Sequence, residues 1–315
     1  MMDLQRQILI DDRVKEALSW QRPDGWLGES FHGEREPETG IRFLIEKGID
    51  PKNPVITAAL DAILDRKSEF DRGSLERVGK LLDAYRLGGS QMIKACVFSY
   101  AGQEEHDFVW RQVEEALYGF SAVFNVEDGN HLYRLHKGSL PVFNEGMIWP
   151  SIYHLRLLAY TQSWRKPSNR RLLCDALNHM LRLCPLPEIK LLHKGQPIAP
   201  AQMNFMNDLN KPLLALAPNE WMLWFHRTEL IARLGVAADL PAVSKQLHAL
   251  LNILESGNWL FDKPLSHYYF HKWSPYIGLA LENDWRKKRK RVSDLTFRCL
   301  LILKYSGLLS RLFDD

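Results

Sequence analysis

The sequence predicts an all-helical protein, and three observations carry that prediction. Apolar residues recur at helical spacing along most of the chain. Helix-stopping glycines and helix-starting prolines fall between these stripes. The strict apolar–polar alternation of half-buried strands is missing, short apolar runs such as 140–143 being the weak exceptions.

Each element follows from a local signal. Leu4, Ile8 and the stretch 14–20 suggest a first helix that stops at Arg22-Pro23-Asp24-Gly25, where Pro and Gly mark a turn. A second segment, 41–47, carries Phe43, Leu44 and Ile45 and ends at Gly48, a natural residue just beyond a helix C-terminus. Asn53 can cap a third helix that opens on Pro54 and bears Val55, Ala58, Ala59, Ala62 and Ile63 on one stripe. Further helices are expected over 74–87, 90–100, 107–124, 151–164, 168–183, 219–234, 241–254 and 293–305. Two stretches read as irregular. Segment 125–150 is a Gly- and His-containing loop, and the proline-rich 185–218 crosses a surface or a cavity mouth.

The chain also repeats itself. Gly48-Ile49 precedes Pro54, Leu60, Ala62 and Leu64, and at an offset of 187 residues Gly235-Val236 precedes Pro241, Leu247, Ala249 and Leu251. The shared logic is helix, glycine stop, short linker, proline start and apolar helix, as in a repeated helical hairpin.

Composition narrows the class. The 315 residues suffice for a large core, and the fractions of 46% hydrophobic and 25% charged residues are ordinary for a globular chain. Ten tryptophans make the protein aromatic-rich, which implies a heavy core or a lined cavity. No stretch approaches the ~20 apolar residues of a membrane span, and polar residues at Asp3, Gln5, Arg6 and Gln7 are unlike a signal-peptide core. Cys96, Cys174, Cys184 and Cys299 are dispersed, so they are expected as reduced, mostly buried thiols in a cytoplasmic protein. The net charge of +3 is local. Arg286, Lys287, Lys288, Arg289, Lys290 and Arg291 form one run, and removing these six from the 41 basic residues leaves 35 against 38 acidic ones. A body so balanced is not built for nucleic acid.

The turn Gln21-Arg22-Pro23-Asp24-Gly25-Trp26, after a helix with Ala17, Leu18 and Trp20, resembles the Gln-x-x-Asp-Gly-x-Trp turn of the prenyltransferase and squalene-cyclase repeat. It departs by one residue, because Trp26 follows Gly25 directly. Ser256-Gly257-Asn258-Trp259 is similar to the Gly-x-Trp half of that turn, and 293–304 resembles a final inner helix. These patches cover about half the chain. The resemblance implies an α/α toroid, concentric inner and outer helix rings built from helical hairpins, in a single domain spanning residues 1–315. In that family the Gln and Trp of each turn tie adjacent repeats together, so Gln21, Trp26 and Trp259 become structural. The family's chemistry does not carry over. The sequence has no Asp-x-Asp-Asp acid motif, Asp294 and Cys299 do not match the prenyltransferase zinc ligands, and no Cys-Cys-His set is identifiable. No metal or cofactor is therefore expected. The common GxGxxG, HExxH and GxSxG signatures are also missing, and Gly73 to Gly79 encloses one residue more than a phosphate-binding loop.

Four constellations remain. His267, Tyr268, Tyr269, Phe270, His271, Lys272 and Trp273, with Tyr276, form the densest aromatic segment. It reads as a core or interface segment, as a cavity lining with His267, Tyr269 and Trp273 on a ligand, or as an incomplete metal pair at His267 and His271. Glu145, next to Trp149 and ahead of a helix with Tyr153 and His154, is either a solvated loop residue or a buried acid with a raised pKa; Glu145 and His154 are the catalytic candidates. Asp24, Glu29 and His32 lie close together around Trp26, as turn residues or as an acid–base group at one rim. The basic run 286–291 is a solvated stretch or a clamp for phosphate, nucleic acid or an acidic partner.

The leading expectation is that a toroid cavity accepts an isoprenoid or other apolar ligand, with segments 145–154 and 266–276 meeting at one concave site. Two alternatives stay open, a non-catalytic scaffold for a peptide or protein and a carbohydrate-active α/α barrel.

Overall fold

A computed structural model describes residues 2–65, 74–201, 210–255 and 267–312. The tryptophan turn at 256–259 and Ser266 lie outside them, as does the side chain of His267.

The chain opens with α1 (Met2–Leu9) and α2 (Asp12–Leu18), separated because Asp11 caps the second helix by accepting from Arg13 N and Val14 N. The pair α3 (Pro37–Glu46) and α4 (Pro54–Asp65) follows, then α5 (Ser74–Ala84), α6 (Ser90–Tyr100) and α7 (Asp107–Ala122). A hairpin of β1 (Tyr133–His136) and β2 (Leu140–Phe143) precedes α8 (Ile152–Tyr160) and α9 (Pro167–Leu183). A second hairpin, β3 (Leu191–His193) and β4 (Gln196–Ile198), leads to α10 (Trp221–Arg233) and α11 (Pro241–Glu255). The short α12 (His267–His271) and the long α13 (Lys288–Tyr305) complete the order. Both expected irregular stretches thus contain two-stranded antiparallel hairpins.

The helix signals act as their chemistry dictates. Asn53 Oδ1 accepts from Val55 N ahead of Pro54. Gly48 and Gly235, after α3 and α10, have φ of +89° and +75°, values that favour glycine, and Pro54 and Pro241 begin the next helices. Helix α3 starts four residues earlier than the sequence suggests, at Pro37, and α13 starts at Lys288 rather than Ser293.

One contiguous apolar cluster runs from Val14 to Leu308. Helices α3, α6, α8 and α10 are the most deeply buried: every residue of α8 except Tyr160 is buried, as are most of α3, α6 and α10, and α13 packs one face against α10. They pack in succession, α3 on α6, α6 on α8, α8 on α10 and α10 on α13. Among the described residues no helix is long and apolar enough to cross a membrane. Cys96, Cys174, Cys184 and Cys299 are free thiols, all but Cys174 buried.

The turn after α2 is a structural tie. Gln21 Nε2 donates to Val55 O at the start of α4, Asp24 Oδ1 accepts from Trp26 N, and the indole of Trp26, 1% exposed, donates to Ser30 O. We expect Trp26→Ala to cost about 3–5 kcal/mol in denaturant unfolding, because a large void opens between α2 and the loop that follows. A loss below about 1 kcal/mol would show that the loop stands without its tryptophan.

Candidate ligand cavity

The loop between α2 and α3 is fastened before it delivers any chemistry. Glu36 does not cap its own helix; its Oε2 accepts from Glu29 N and Ser30 N, and Thr39 Oγ1 donates to Gly33 O. Between these anchors His32 is laid against the first turn of α3, with Nδ1 2.5 Å from Glu38 Oε2. Tyr153 of α8 donates its hydroxyl to Glu38 Oε1 at 2.7 Å, and Arg156 Nη1 lies 3.9 Å from the same oxygen.

Glu38 is 1% exposed. Burial by itself pushes its carboxyl up, but the His32 imidazole, the Tyr153 hydroxyl and the Arg156 guanidinium outweigh it and hold the group below the usual carboxylate range. An ionised carboxylate has no proton to donate, so Nδ1 carries the hydrogen of this bond. In a neutral His32 the lone pair is then on Nε2. The ring is 14% exposed and borders a cavity of about 900 Å³.

The walls of that cavity are mainly apolar. Val78 and Leu82 of α5, Met222, Leu223 and Ile231 of α10, and Val243 of α11 supply area. Tyr153, Tyr269, Tyr276 and Trp224 supply rings, and Arg227 and Thr228 add polar groups. Trp224 Nε1 is satisfied by Gln246 Oε1 at 2.5 Å, so its ring presents no unpaired donor. Tyr276 meets His32 edge-on with centroids 5.6 Å apart and lies 6.0 Å from the Tyr153 ring. The carboxylates bordering the cavity, Glu188 and Glu220, are paired with Lys190 and Lys211.

Behind His32 and Glu38, the facing sides of α3, α8, α10 and α13 carry a buried polar column. Glu38, Arg42 and Glu46 succeed one another at four-residue spacing on α3, which puts them on one face. Arg42 Nη2 donates to Ser274 O and Ile277 O, and Arg156 Nη1 donates to Pro275 O, so two buried guanidiniums hold the loop that carries Tyr276. Further along, Arg298 of α13 bridges Glu46 at 2.6 Å and Glu229 at 3.0 Å, and Glu229 also binds Arg233 at 2.8 Å. The Arg298–Glu46 pair joins α13 to α3.

The expected site residues scatter. Glu145 is exposed in the turn after β2, because Asn144 N and Asn144 Nδ2 fold that turn back onto Leu132 O and His131 O; it is not a buried acid. His154 is buried and serves α8. Its Nδ1 accepts from Ser151 N at 3.0 Å in a capping box, and the backbone of Arg86 takes its other side. Burial drives its pKa down to about 3, and it borders a different, polar cleft with Asp83 and Arg86. Trp273 is buried against Phe43, beneath Arg42, with Nε1 on Ala280 O; it is a core residue and not a cavity wall. Tyr269 does border the cavity. His271 Nε2 bonds Asn283 O. Segments 151–160 and 267–277 therefore meet, but through Tyr153, Arg156, Pro275 and Tyr276.

The basic run is not one clamp. Arg286 pairs with Asp284, Lys290 with Glu282, and Arg291 turns inward onto Trp285 O because the last residues of the run already belong to α13. Asp294 accepts from Leu281 N, Glu282 N and Trp285 Nε1, and Cys299 is buried in the core. Among the described residues no group of three His, Cys, Asp or Glu side chains is placed to hold a metal. Of the rim residues, Glu29 is exposed and Asp24 serves the turn; His32 alone reaches the cavity, with Glu38 as its partner.

Comparison with protein-family models, with curated proteins and with solved structures finds no match.

Proposed function

We propose that the protein binds an apolar small molecule of isoprenoid type in the large cavity, and that His32 exchanges a proton with it or with a water beside it. The observation that carries this reading is the cavity of about 900 Å³, apolar over most of its wall, with a carboxylate-oriented imidazole on one side. The division of labour follows from the geometry. Apolar walls supply affinity by burying the ligand, and Glu38 fixes the tautomer and orientation of His32 and stabilises the imidazolium once a proton arrives. Glu38, held ionised by its surroundings, is not the acid that protonates an alkene.

We also infer an α/α toroid. The succession α3, α6, α8, α10, α13, joined back to α3 by Arg298 and Glu46, supports an inner ring, with α4, α5, α7, α9 and α11 outside it. The matched glycine and proline positions at the ends of the α3–α4 and α10–α11 pairs support helical hairpins as the unit.

The test is a displacement titration. N-phenyl-1-naphthylamine fluorescence is expected to rise on binding and to be displaced by geranylgeraniol. Leu223→Trp, which fills the cavity from α10, is expected to weaken the displacement at least about tenfold, a loss of ~1.4 kcal/mol. Equal affinity in a folded Leu223→Trp variant would place the ligand elsewhere.

A further inference from the structure

What His32 can offer a ligand is fixed from behind. Both oxygens of Glu38 are claimed: Oε1 accepts from the Tyr153 hydroxyl at 2.7 Å, and Oε2 lies 2.5 Å from His32 Nδ1. A carboxylate so engaged takes the imidazole hydrogen on Nδ1 and leaves a lone pair on Nε2 of the neutral ring. Among the described residues Nε2 itself has no hydrogen bond. It is not sealed in the packing either, because the side chain keeps 14% of its surface open and borders the large cavity.

The other strong acceptors around that cavity are committed. Glu188 pairs with Lys190, and Glu220 pairs with Lys211 and lies in the field of Arg227. Gln246 Oε1 takes the Trp224 indole N–H. An apolar ligand that fills the cavity excludes water from Nε2, and a buried acceptor left without a partner costs affinity. The ligand must therefore supply the partner itself.

That partner has to suit two states of the ring. It must donate to the neutral imidazole, and it must accept once the imidazole takes up a proton. A hydroxyl does both. An ether or a carbonyl only accepts, and a hydrocarbon does neither. An ionised carboxylate also only accepts, and it would meet the lone pair of the neutral ring with the Glu38 charge behind it.

We propose that the ligand of the large cavity is a neutral alcohol whose hydroxyl donates to His32 Nε2. This rests on the reading of the cavity as an isoprenoid site and names the head group that the site selects. Tyr153 and Glu38 act from behind as positioning residues, since they set which nitrogen of His32 faces the ligand.

The test is a displacement series on the full chain at about pH 8.5, above the ordinary range of histidine. Geranylgeraniol, its methyl ether and geranylgeranoic acid compete in turn with N-phenyl-1-naphthylamine. A pocket that only buries area would favour the ether, which adds a methyl group and gives up fewer bonds to water. The alcohol is instead expected to bind at least about fivefold more tightly than the ether, and more tightly than the acid. His32→Phe is expected to abolish this preference while changing ether affinity by less than about threefold. A second readout needs no variant: the nitrogen NMR resonance of His32 Nε2 is expected further upfield in the alcohol complex than in the ether complex. Ether binding as tight as alcohol binding, with both weakened by Leu223→Trp, overturns the alcohol and leaves the cavity reading standing. Tighter binding of the acid overturns it in favour of a charged anchor, and displacement by none of the three overturns both readings.

Discussion

Arg298→Met is expected to lower unfolding free energy by about 3–5 kcal/mol, measured as a shift in urea midpoint at constant slope. The side chain is 2% exposed and its guanidinium answers two buried carboxylates, Glu46 and Glu229, as well as Leu279 O. Removing it leaves both acids in a medium that solvates charge poorly, and the penalty is that of uncompensated charge more than of a lost contact. Arg298→Lys is expected to fall between, since an ammonium keeps the charge but cannot fork across three acceptors. A loss below about 1 kcal/mol would mean that water reaches these groups and that the column is an ordinary surface network.

Acidification from pH 8 to pH 5 is expected to remove about 3 kcal/mol of stability, beginning near pH 6.5. Burial holds His154 at about 3, and burial with the surrounding arginines holds His226 well below its ordinary value. Both take up protons readily only when the chain unfolds. The stability they supply is complete above the unfolded value of ~6.5 and falls as pH drops, by about 1.4 kcal/mol per pH unit for each histidine. At pH 5 that amounts to about 4 kcal/mol for the pair. Asp83 opposes it. Burial raises its pKa to about 6, against the N–H groups of Gln91, Gly89 and Ser90, so the folded state gains about 1 kcal/mol from its protonation over the same range. Glu38 and Glu46, both lowered, add their losses only below ~4.5. Urea titrations at stepped pH measure the slope, and His154→Gln is expected to flatten it by one histidine's share. A loss that begins only below pH 4.5 would show that both imidazoles reach solvent when folded.

The helices were legible because their stops are chemical. Gly48, Asn53-Pro54, Gly235 and Pro241 announce element ends that any packing must respect. The hairpin strands were less so, since four-residue pairs such as Tyr133–His136 with Leu140–Phe143 are too short to show alternation. The cavity was half legible. His32 and the 267–276 aromatics stand out in the sequence, but Glu38 does not, because Pro37 extends α3 back beyond the apolar run that suggested it. The polar column was illegible for a different reason. Glu38, Arg42 and Glu46 at four-residue spacing look like a solvated helix face; only the convergence of several such faces, from α3, α8, α10 and α13, turns them into a buried network. The tryptophan and the acid nearest an expected site misled for the same reason: Trp273 satisfies the core and Glu145 satisfies a turn, and neither preference is visible without the partner surface.

The most direct measurement of the central claim is photo-crosslinking of the purified protein with a benzophenone-bearing isoprenol, followed by peptide mass spectrometry. The ligand reading predicts adducts on α10 at Met222 and Leu223 and on the loop at Tyr276 and Ile277, all competed away by geranylgeraniol and lost in Leu223→Trp. Labelling confined to exposed residues such as Trp110, Tyr118 and Leu135, or labelling that the competitor does not reduce, would contradict it.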